Sequence, residues 1–399
     1  VRPGVRADSG AVGVTGSARA RLRVALVAAT VLNLPFGTIY AFSVFLKPME
    51  ALLAVSRAQM SVVFGLATIT LTLGMNLAPR LYRRWPPIAI VLGSAIGSAA
   101  GLAITAGAQG YASLLVGYGL MFGIGGGICF IVMQQAVNQA AETTSGLVNG
   151  YLVALYPLGA MLGAPIFGWA IEVYGLRAAL AGLAATVATT GMIAAGMLHV
   201  GRIRLHDPHA ASGVASANER GVFVRLFVVF FLAAAAGLTV LSQAAGIVQA
   251  YGGKSALALG ATTFITGAIA AARTGGGALV DRFAVPHVAC GAHLWSLTGA
   301  LLLTLWPGPL MSVAGLAMIG MGYGFVSGLT AGAISRYWHR NLFGQIASRM
   351  YIAWCVAAIS LPVLAGWLFD RTQGYSAVMM IAALVNLIGI VVAWRLPRA

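Results

Sequence analysis

The chain has 399 residues, of which 60% are hydrophobic and only 8% charged, and it contains 52 glycines. Water-soluble domains carry roughly a quarter of their residues as charges, so this composition excludes an ordinary globular protein and points to lipid. A formal net charge of +16 would suggest a nucleic-acid partner in a soluble protein, but the placement of the charges gives it a different meaning here.

Residues 1–21 are small and polar with scattered arginines and read as a loose cytoplasmic tail. Twelve stretches then follow that are long enough, at roughly 20 residues each, to cross about 30 Å of hydrocarbon. They lie near 22–46, 60–82, 88–108, 112–137, 146–171, 177–199, 223–250, 255–280, 287–306, 310–334, 345–369 and 375–395. The runs are continuously apolar rather than short and alternating, so they predict spanning helices and exclude a barrel. The first run is too long for a signal-peptide core and lacks a cleavage pattern, so it stays as the first helix.

With the N-terminus inside, the inner side collects Arg2, Arg6, Arg19, Arg21 and Arg23, then Arg80, Arg83 and Arg84, then Arg202, Arg204, Arg220 and Arg225. Arg282, Arg336, Arg340, Arg349, Arg395 and Arg398 fall on the same side, whereas Lys47, Arg57, Arg177, Lys254 and Arg371 fall outside. The positive-inside rule therefore predicts both termini in the cytoplasm of a multi-pass plasma (inner) membrane protein. The basic excess is topological, and no nucleic-acid partner is implied. Cys129, Cys290 and Cys355 all lie inside spans without paired spacing, which supports neither a disulfide framework nor a metal site.

The polar stretch at 200–222 falls at the chain midpoint and separates six spans from six. It divides the chain into an N-terminal bundle at 22–199 and a C-terminal bundle at 223–399. The halves echo each other. Gly119, Gly123 and Gly127 recur 201 residues later as Gly320, Gly324 and Gly328; Gly168-Trp169 matches Gly366-Trp367; Arg80 corresponds to Arg282. Glycines at i, i+4 and i+8 form a smooth stripe that lets a neighbouring backbone pack closely or slide. Ordinary tight packing accounts for one such stripe; its recurrence favours a duplicated architecture of the kind that rocks about a midplane site.

A 6+6 chain with "GALVDRF" after the eighth span resembles the major facilitator superfamily over essentially residues 22–395. The resemblance implies an all-α fold of twelve transmembrane helices in two pseudo-symmetric six-helix bundles. In that superfamily a Gly-x-x-x-Asp-Arg pattern recurs in both halves; Gly277, Asp281 and Arg282 match it, giving them, with Arg80, Gly123 and Gly324, gating roles. The first-half copy keeps Arg80, Arg83 and Arg84 but has Pro79 where the acid is expected, which argues against an Asp–Arg gate in that half.

The stretch "FGTIYAFSVFLKPMEALLAVSRAQMS", 36–61, and "AGWLFDRTQGY", 365–375, resemble the oxalate–formate antiporter and monocarboxylate transporter branches. In both, an arginine on the eighth helix lies eight residues before the loop acid and holds the substrate carboxylate; Arg273 and Asp281 have that spacing. At 1.5 Å per residue Arg273 would sit about 12 Å from the cytoplasmic end of its helix. Such a cation needs a cavity or an anion, and its planar fork suits a carboxylate. Snorkelling to the interface, or a structural pairing with helix carbonyls, is the other reading.

Two departures narrow the substrate. The oxalate–formate group resembles "MYIAWCVAA", 350–358, but has a lysine where this chain has Trp354, so one cation is left for one carboxylate. The monocarboxylate group has an aspartate where this chain has Ile269, so its proton partner is missing. No acid is predicted at mid-membrane, and His293 reads as a packed or interfacial residue. Exchange of one anion for another follows more easily than proton symport, because an empty cavity would leave Arg273 unpaired and discourage reorientation.

Tyr40, Gln243, Tyr323, Tyr156 and Trp354 lie at suitable depth to line the site, each equally able to be a packing residue between helices. Gln134, Gln135 and Asn138 read as gate or packing residues. A membrane enzyme would need a His, Asp or Glu cluster at mid-depth, which the sequence lacks. A polyspecific drug exporter shares the pattern "GAMLGAP", 159–165, yet cation exporters want a buried acid. A transport-inactive sensor would need an output domain. The reading is thus a monomeric secondary transporter of a small organic anion, such as formate, lactate, pyruvate or oxalate. It works without cofactor or metal, its partners being the anion and the bilayer.

Overall fold

The computed structural model describes residues 9–141, 145–205 and 217–398. Among them the fold is all-helical, and twelve helices are long and apolar enough to cross a membrane. They are α1 Arg19–Leu53, α2 Ala58–Leu81, α3 Pro87–Ala106, α4 Tyr111–Ala140, α5 Gly146–Tyr174 and α6 Leu176–Val200 in the first half. The second half has α7 Glu219–Ala250, α8 Ser255–Arg282, α9 Val285–Leu305, α10 Pro309–Tyr337, α11 Arg340–Phe369 and α12 Ser376–Trp394. Each of the twelve expected stretches falls on one of these helices.

The edges differ from expectation in two places. Helix begins at Ser9, inside the segment read as a loose tail; residues 9–21 contain no proline to stop it. Helix resumes at Ala217, so of the polar midpoint stretch only 201–205 are non-helical in the described residues; 206–216 lie outside them.

Helix-to-helix contacts repeat under the relation that maps α1–α6 onto α7–α12. Helix α2 packs on α4 as α8 packs on α10; α3 packs on α6 as α9 packs on α12. Between the halves, α5 lies against α8 and α11 against α2, which is the same contact with the roles of the halves exchanged. In hydrocarbon such contacts depend on close backbone packing rather than on exclusion of water, so small residues mark them. A Cβ at Gly123 would collide with Thr70 and the Ala67 backbone on α2; one at Gly324 would stand 2.7 Å from both Ala272 Cβ and the Ile269 carbonyl on α8. The two glycine stripes thus occupy corresponding contacts. Leucines, valines and isoleucines such as Leu73, Ile166, Val363 and Leu384 point outward, as a lipid-facing surface requires.

Three local breaks shape the interior. Helix α1 is interrupted by a 3-10 turn at Gly37–Ala41, following Pro35, whose carbonyl accepts a 2.6 Å bond from Thr38 Oγ1. Gly37 lets the α5 backbone at Tyr156 come so close that any Cβ would strike it. In α4, Leu115–Phe122 is π-helical. Helix α5 carries Pro157 and Pro165.

A leucine at Gly324 therefore has to push α8 and α10 apart. Gly324→Leu, and Gly123→Leu in the other half, should lower transport at least about tenfold while surface expression stays within about twofold, since overpacking costs on the order of 1–3 kcal/mol but spares the remaining contacts. Uptake normalised to surface-labelled protein measures this.

Candidate functional site

Arg273 sits where α5, α8 and α10 cross. Its own carbonyl is 2.5 Å from the position of a Cβ at Gly150 on α5, and Gly328 on α10 abuts the same group still more closely. Two glycines, one from each half, thus permit the three backbones to meet at this residue. Among the described side chains it is the one buried lysine, arginine, aspartate or glutamate, with 4% exposure.

The guanidinium is turned inward and does not snorkel. Nη1 donates to the Val153 carbonyl of α5 at 2.9 Å, and Nη2 donates to the Tyr323 hydroxyl at 2.8 Å. The Tyr323 ring also faces the charge, 5.2 Å from its centroid to the guanidinium carbon, within cation–π range. Tyr323 can take this place because Gly237 on α7 has no Cβ, which would stand 2.6 Å from Tyr323 Cδ1. The expectation of an unpaired arginine in the empty site is therefore corrected: a helix carbonyl and a phenol each engage one of its three nitrogens. The third, Nε, is buried without a partner.

The cavity beside Arg273 is lined by Tyr40, Met75, Phe130, Tyr156, Tyr323, Ser327, Tyr351 and Trp354, and offers about 10 Å³ for the centre of a water-sized body, the space of one water. Its walls are rings in contact. Tyr40 stands edge-on to Tyr156 at 6.1 Å and to Trp354 at 6.0 Å, and Phe130 edge-on to Tyr156 at 4.7 Å and to Tyr351 at 5.3 Å. Tyr156 gives its hydroxyl hydrogen to the Gly126 carbonyl at 3.1 Å. Trp354 Nε1, like Arg273 Nε, is buried with no acceptor. Two buried N–H donors beside the cavity thus lack acceptors, and among the described residues no carboxylate lines it.

Of the residues expected to meet here, Arg273, Tyr40, Tyr156, Tyr323 and Trp354 do, and Gln243 does not: it accepts a 3.2 Å bond from Tyr375 within the C-terminal half. Met75, Phe130, Ser327 and Tyr351 line the cavity without having been anticipated. Ser327 and Tyr351 were within reach of helical spacing, one turn from Tyr323 and Trp354 respectively. Met75 and Phe130 carry no signal that separates them from any buried apolar residue. Gln134 donates a long 3.5 Å contact to the Tyr351 hydroxyl. His293 lies elsewhere, buried between α9 and α12, its Nδ1 2.9 Å from Asn386 Oδ1.

Toward the face that carries the Ser9 and Arg398 ends, here the terminal face, the halves are joined. The Asp281 carboxylate accepts from Gly146 N at 2.7 Å, Leu147 N at 2.9 Å and Ser145 Oγ at 2.8 Å. An anion from α8 thus caps the N-terminus of α5, where free N–H groups and the helix dipole favour negative charge. Gly277, one turn earlier, abuts Gly146. Asp281 takes no arginine partner among the described residues, and Arg80 and Arg282 are exposed, so the acid works through a helix end rather than an Asp–Arg pair. In the other half, where Pro79 replaces the acid, a neutral group does the equivalent work. Gln135 Oε1 accepts from Gly344 N at 2.6 Å, and its Nε2 donates to the Arg340 carbonyl at 3.2 Å, closing the start of α11. Asn138 bonds Asn149, which reaches Ser335 on α10 at 2.8 Å.

The comparisons with known proteins agree with this architecture. The family profile of the Major Facilitator Superfamily matches residues 26–243. The chain belongs to the Major Facilitator Superfamily. Monocarboxylate transporter 13 of Bos taurus is 24% identical over 377 residues, covering 92% of this chain and 86% of the relative. The MFS-type transporter YhjX of Escherichia coli (strain K12) is 22% identical over 348 residues, covering 84% of this chain and 85% of the relative. Among solved structures, the human organic anion transporter MFSD10 (TETRAN) superposes with a TM-score of 0.69 at 15% identity, covering 94% of this chain and 99% of that one. The protein is a multi-pass membrane transporter of the secondary kind and not an enzyme.

The clamp at Asp281 predicts a measurable loosening. In a background without the three native cysteines, Asp281→Asn should raise the labelling rate of a cysteine at the buried Ala331 by about fivefold, because one anion at a helix N-terminus contributes roughly 1 kcal/mol. A membrane-impermeant thiol reagent applied from the terminal face reads this out.

Proposed function

We propose that this transporter carries a small organic monocarboxylate, in the size range of formate, pyruvate or lactate, and exchanges one anion for another by alternating access. The observation that carries the reading is a pair of unmet N–H donors at the Arg273 cavity. The Arg273 Nε–H and the Trp354 Nε1–H are both buried without acceptors beside one cavity. A buried donor left unmade costs about 1–3 kcal/mol, so the fitting ligand brings acceptors and no donors of its own at that end. A carboxylate does so, and its charge offsets the lone guanidinium.

A single cation supports one carboxylate rather than two. The aromatic walls favour a small, flat or apolar body for the rest of the molecule. The names of two relatives, a monocarboxylate transporter and an organic anion transporter, point the same way. Exchange rather than proton symport is supported by the absence of a cavity carboxylate among the described residues and by His293 being enclosed away from the site. The distribution of basic residues supports both termini in the cytoplasm of a plasma (inner) membrane, which makes the terminal face the cytoplasmic one.

Counterflow in reconstituted liposomes tests the proposal. Labelled formate, pyruvate or lactate should exchange against its unlabelled form without an imposed pH gradient. Arg273→Gln should lower exchange at least about a hundredfold, as loss of a charged, buried hydrogen-bonding partner costs on the order of 3 kcal/mol. Arg273→Lys keeps the charge without the fork and should retain a few per cent of the rate. Normal exchange by Arg273→Gln would remove the reading.

A further inference from the structure

Helix α5 contains Pro157 inside its span. In a regular α-helix the carbonyl of Val153 accepts from the N–H of residue 157, and proline has none. A carbonyl deprived of its donor within hydrocarbon has to be satisfied by another group. Here the donor is Arg273 Nη1, 2.9 Å away on α8 of the opposite half.

We infer that Pro157 is a positioning residue for the substrate site: by removing one N–H it frees the Val153 carbonyl, and that carbonyl pins the Arg273 guanidinium in its receiving orientation. The inference rests on the carboxylate reading given above and adds how the cation is aimed.

The geometry of the fork makes the pin specific. A guanidinium is planar, so fixing two of its nitrogens fixes the third. Val153 O holds Nη1 from the N-terminal half, and Tyr323 holds Nη2 from the C-terminal half. The nitrogen left without any bond is Nε, buried beside the cavity that Trp354 Nε1 also borders without an acceptor. Tyr323 accepts from the arginine, which leaves its own hydroxyl hydrogen to give to an anion. Without the Val153 pin the side chain keeps its charge but turns about its Tyr323 contact, and the ordering of a long, flexible side chain is then charged to substrate binding.

Pro165, two turns further along the same helix, provides an internal control. It is exposed, and the carbonyl it frees, that of Met161, is not a partner of Arg273. Straightening α5 at either proline alters the helix, but only the change at 157 returns a competing N–H to the Val153 carbonyl.

The test is a comparison of Pro157→Ala, Pro157→Gly and Pro165→Ala in counterflow with labelled formate, pyruvate and lactate, measuring KM and maximal rate separately. Both 157 variants restore an N–H, and the glycine variant serves if the alanine variant does not fold. The expected result is a KM raised about five- to tenfold by either 157 variant, the scale of one ordinary net hydrogen bond, with maximal rate within about twofold. Pro165→Ala should leave KM within about twofold. Wild-type KM in both 157 variants overturns the inference and leaves the carboxylate reading intact. So does an equal rise in KM for Pro165→Ala, or a fall in maximal rate with KM unchanged. If the wild-type protein exchanges none of the three anions, the carboxylate reading falls, and this inference with it.

Discussion

A guanidinium cannot discard its proton to escape a poorly solvated place, and Arg273 is enclosed at the centre of a bilayer-spanning fold with no carboxylate beside it among the described residues. Burying a charge without a counter-ion is among the more costly things a protein can do. The surroundings of this residue read as the means by which that cost is limited without being cancelled. A proline-freed carbonyl takes one nitrogen, a phenol takes the second, and the ring of the same phenol faces the positive charge. The third nitrogen is left, and the site it borders is almost closed. That residual demand for an acceptor is what the proposed reading uses: an anion would complete a hydrogen-bond set that the protein leaves open.

The duplicated fold explains how such a point is reached. Corresponding glycine stripes seat α4 on α2 and α10 on α8, and the α5–α8 contact has its mirror in α11–α2. Against that repetition, the functional features are the departures from symmetry. Arg273 has no counterpart cation in the first half. Asp281 caps α5, while the matching end of α11 is closed by Gln135, an uncharged residue. Pro157 falls on Cys355 in the second half, at the offset that relates Gly168-Trp169 of α5 to Gly366-Trp367 of α11. Symmetry supplies two like halves, and asymmetry supplies one polar centre between them.

Much of this was legible in the sequence because lipid imposes simple rules. Twelve apolar runs, the midpoint polar stretch and the repeated glycines follow from period, length and composition. Arg273 stood out because charge at that depth is rare. What the sequence withheld is partnership across the fold. Pro157 announces that the Val153 carbonyl is unsatisfied, yet nothing local says that a cation 120 residues away satisfies it. Asp281 looked like half of an ion pair; its partner turned out to be the N–H groups of a helix start, which have no side-chain signature. Phe130 and Met75 are core-type residues by identity and cavity walls only by position. Gln243 had the right depth on α7 and the wrong direction, since it meets Tyr375 instead. Depth can be read from hydropathy, whereas azimuth in a helix that is apolar all round cannot.

The central claim is that the site lacks an acceptor and not merely a ligand of suitable size. Thermal unfolding of the purified protein in detergent, with each monocarboxylate compared against its neutral amide, tests it directly. The two forms have nearly the same shape, but the amide replaces an acceptor oxygen by a donor. Binding to the native state raises the unfolding midpoint with ligand concentration. The account predicts a concentration-dependent rise with formate, pyruvate or lactate and none with formamide, pyruvamide or lactamide at equal concentration. Equal stabilisation by acid and amide would contradict it.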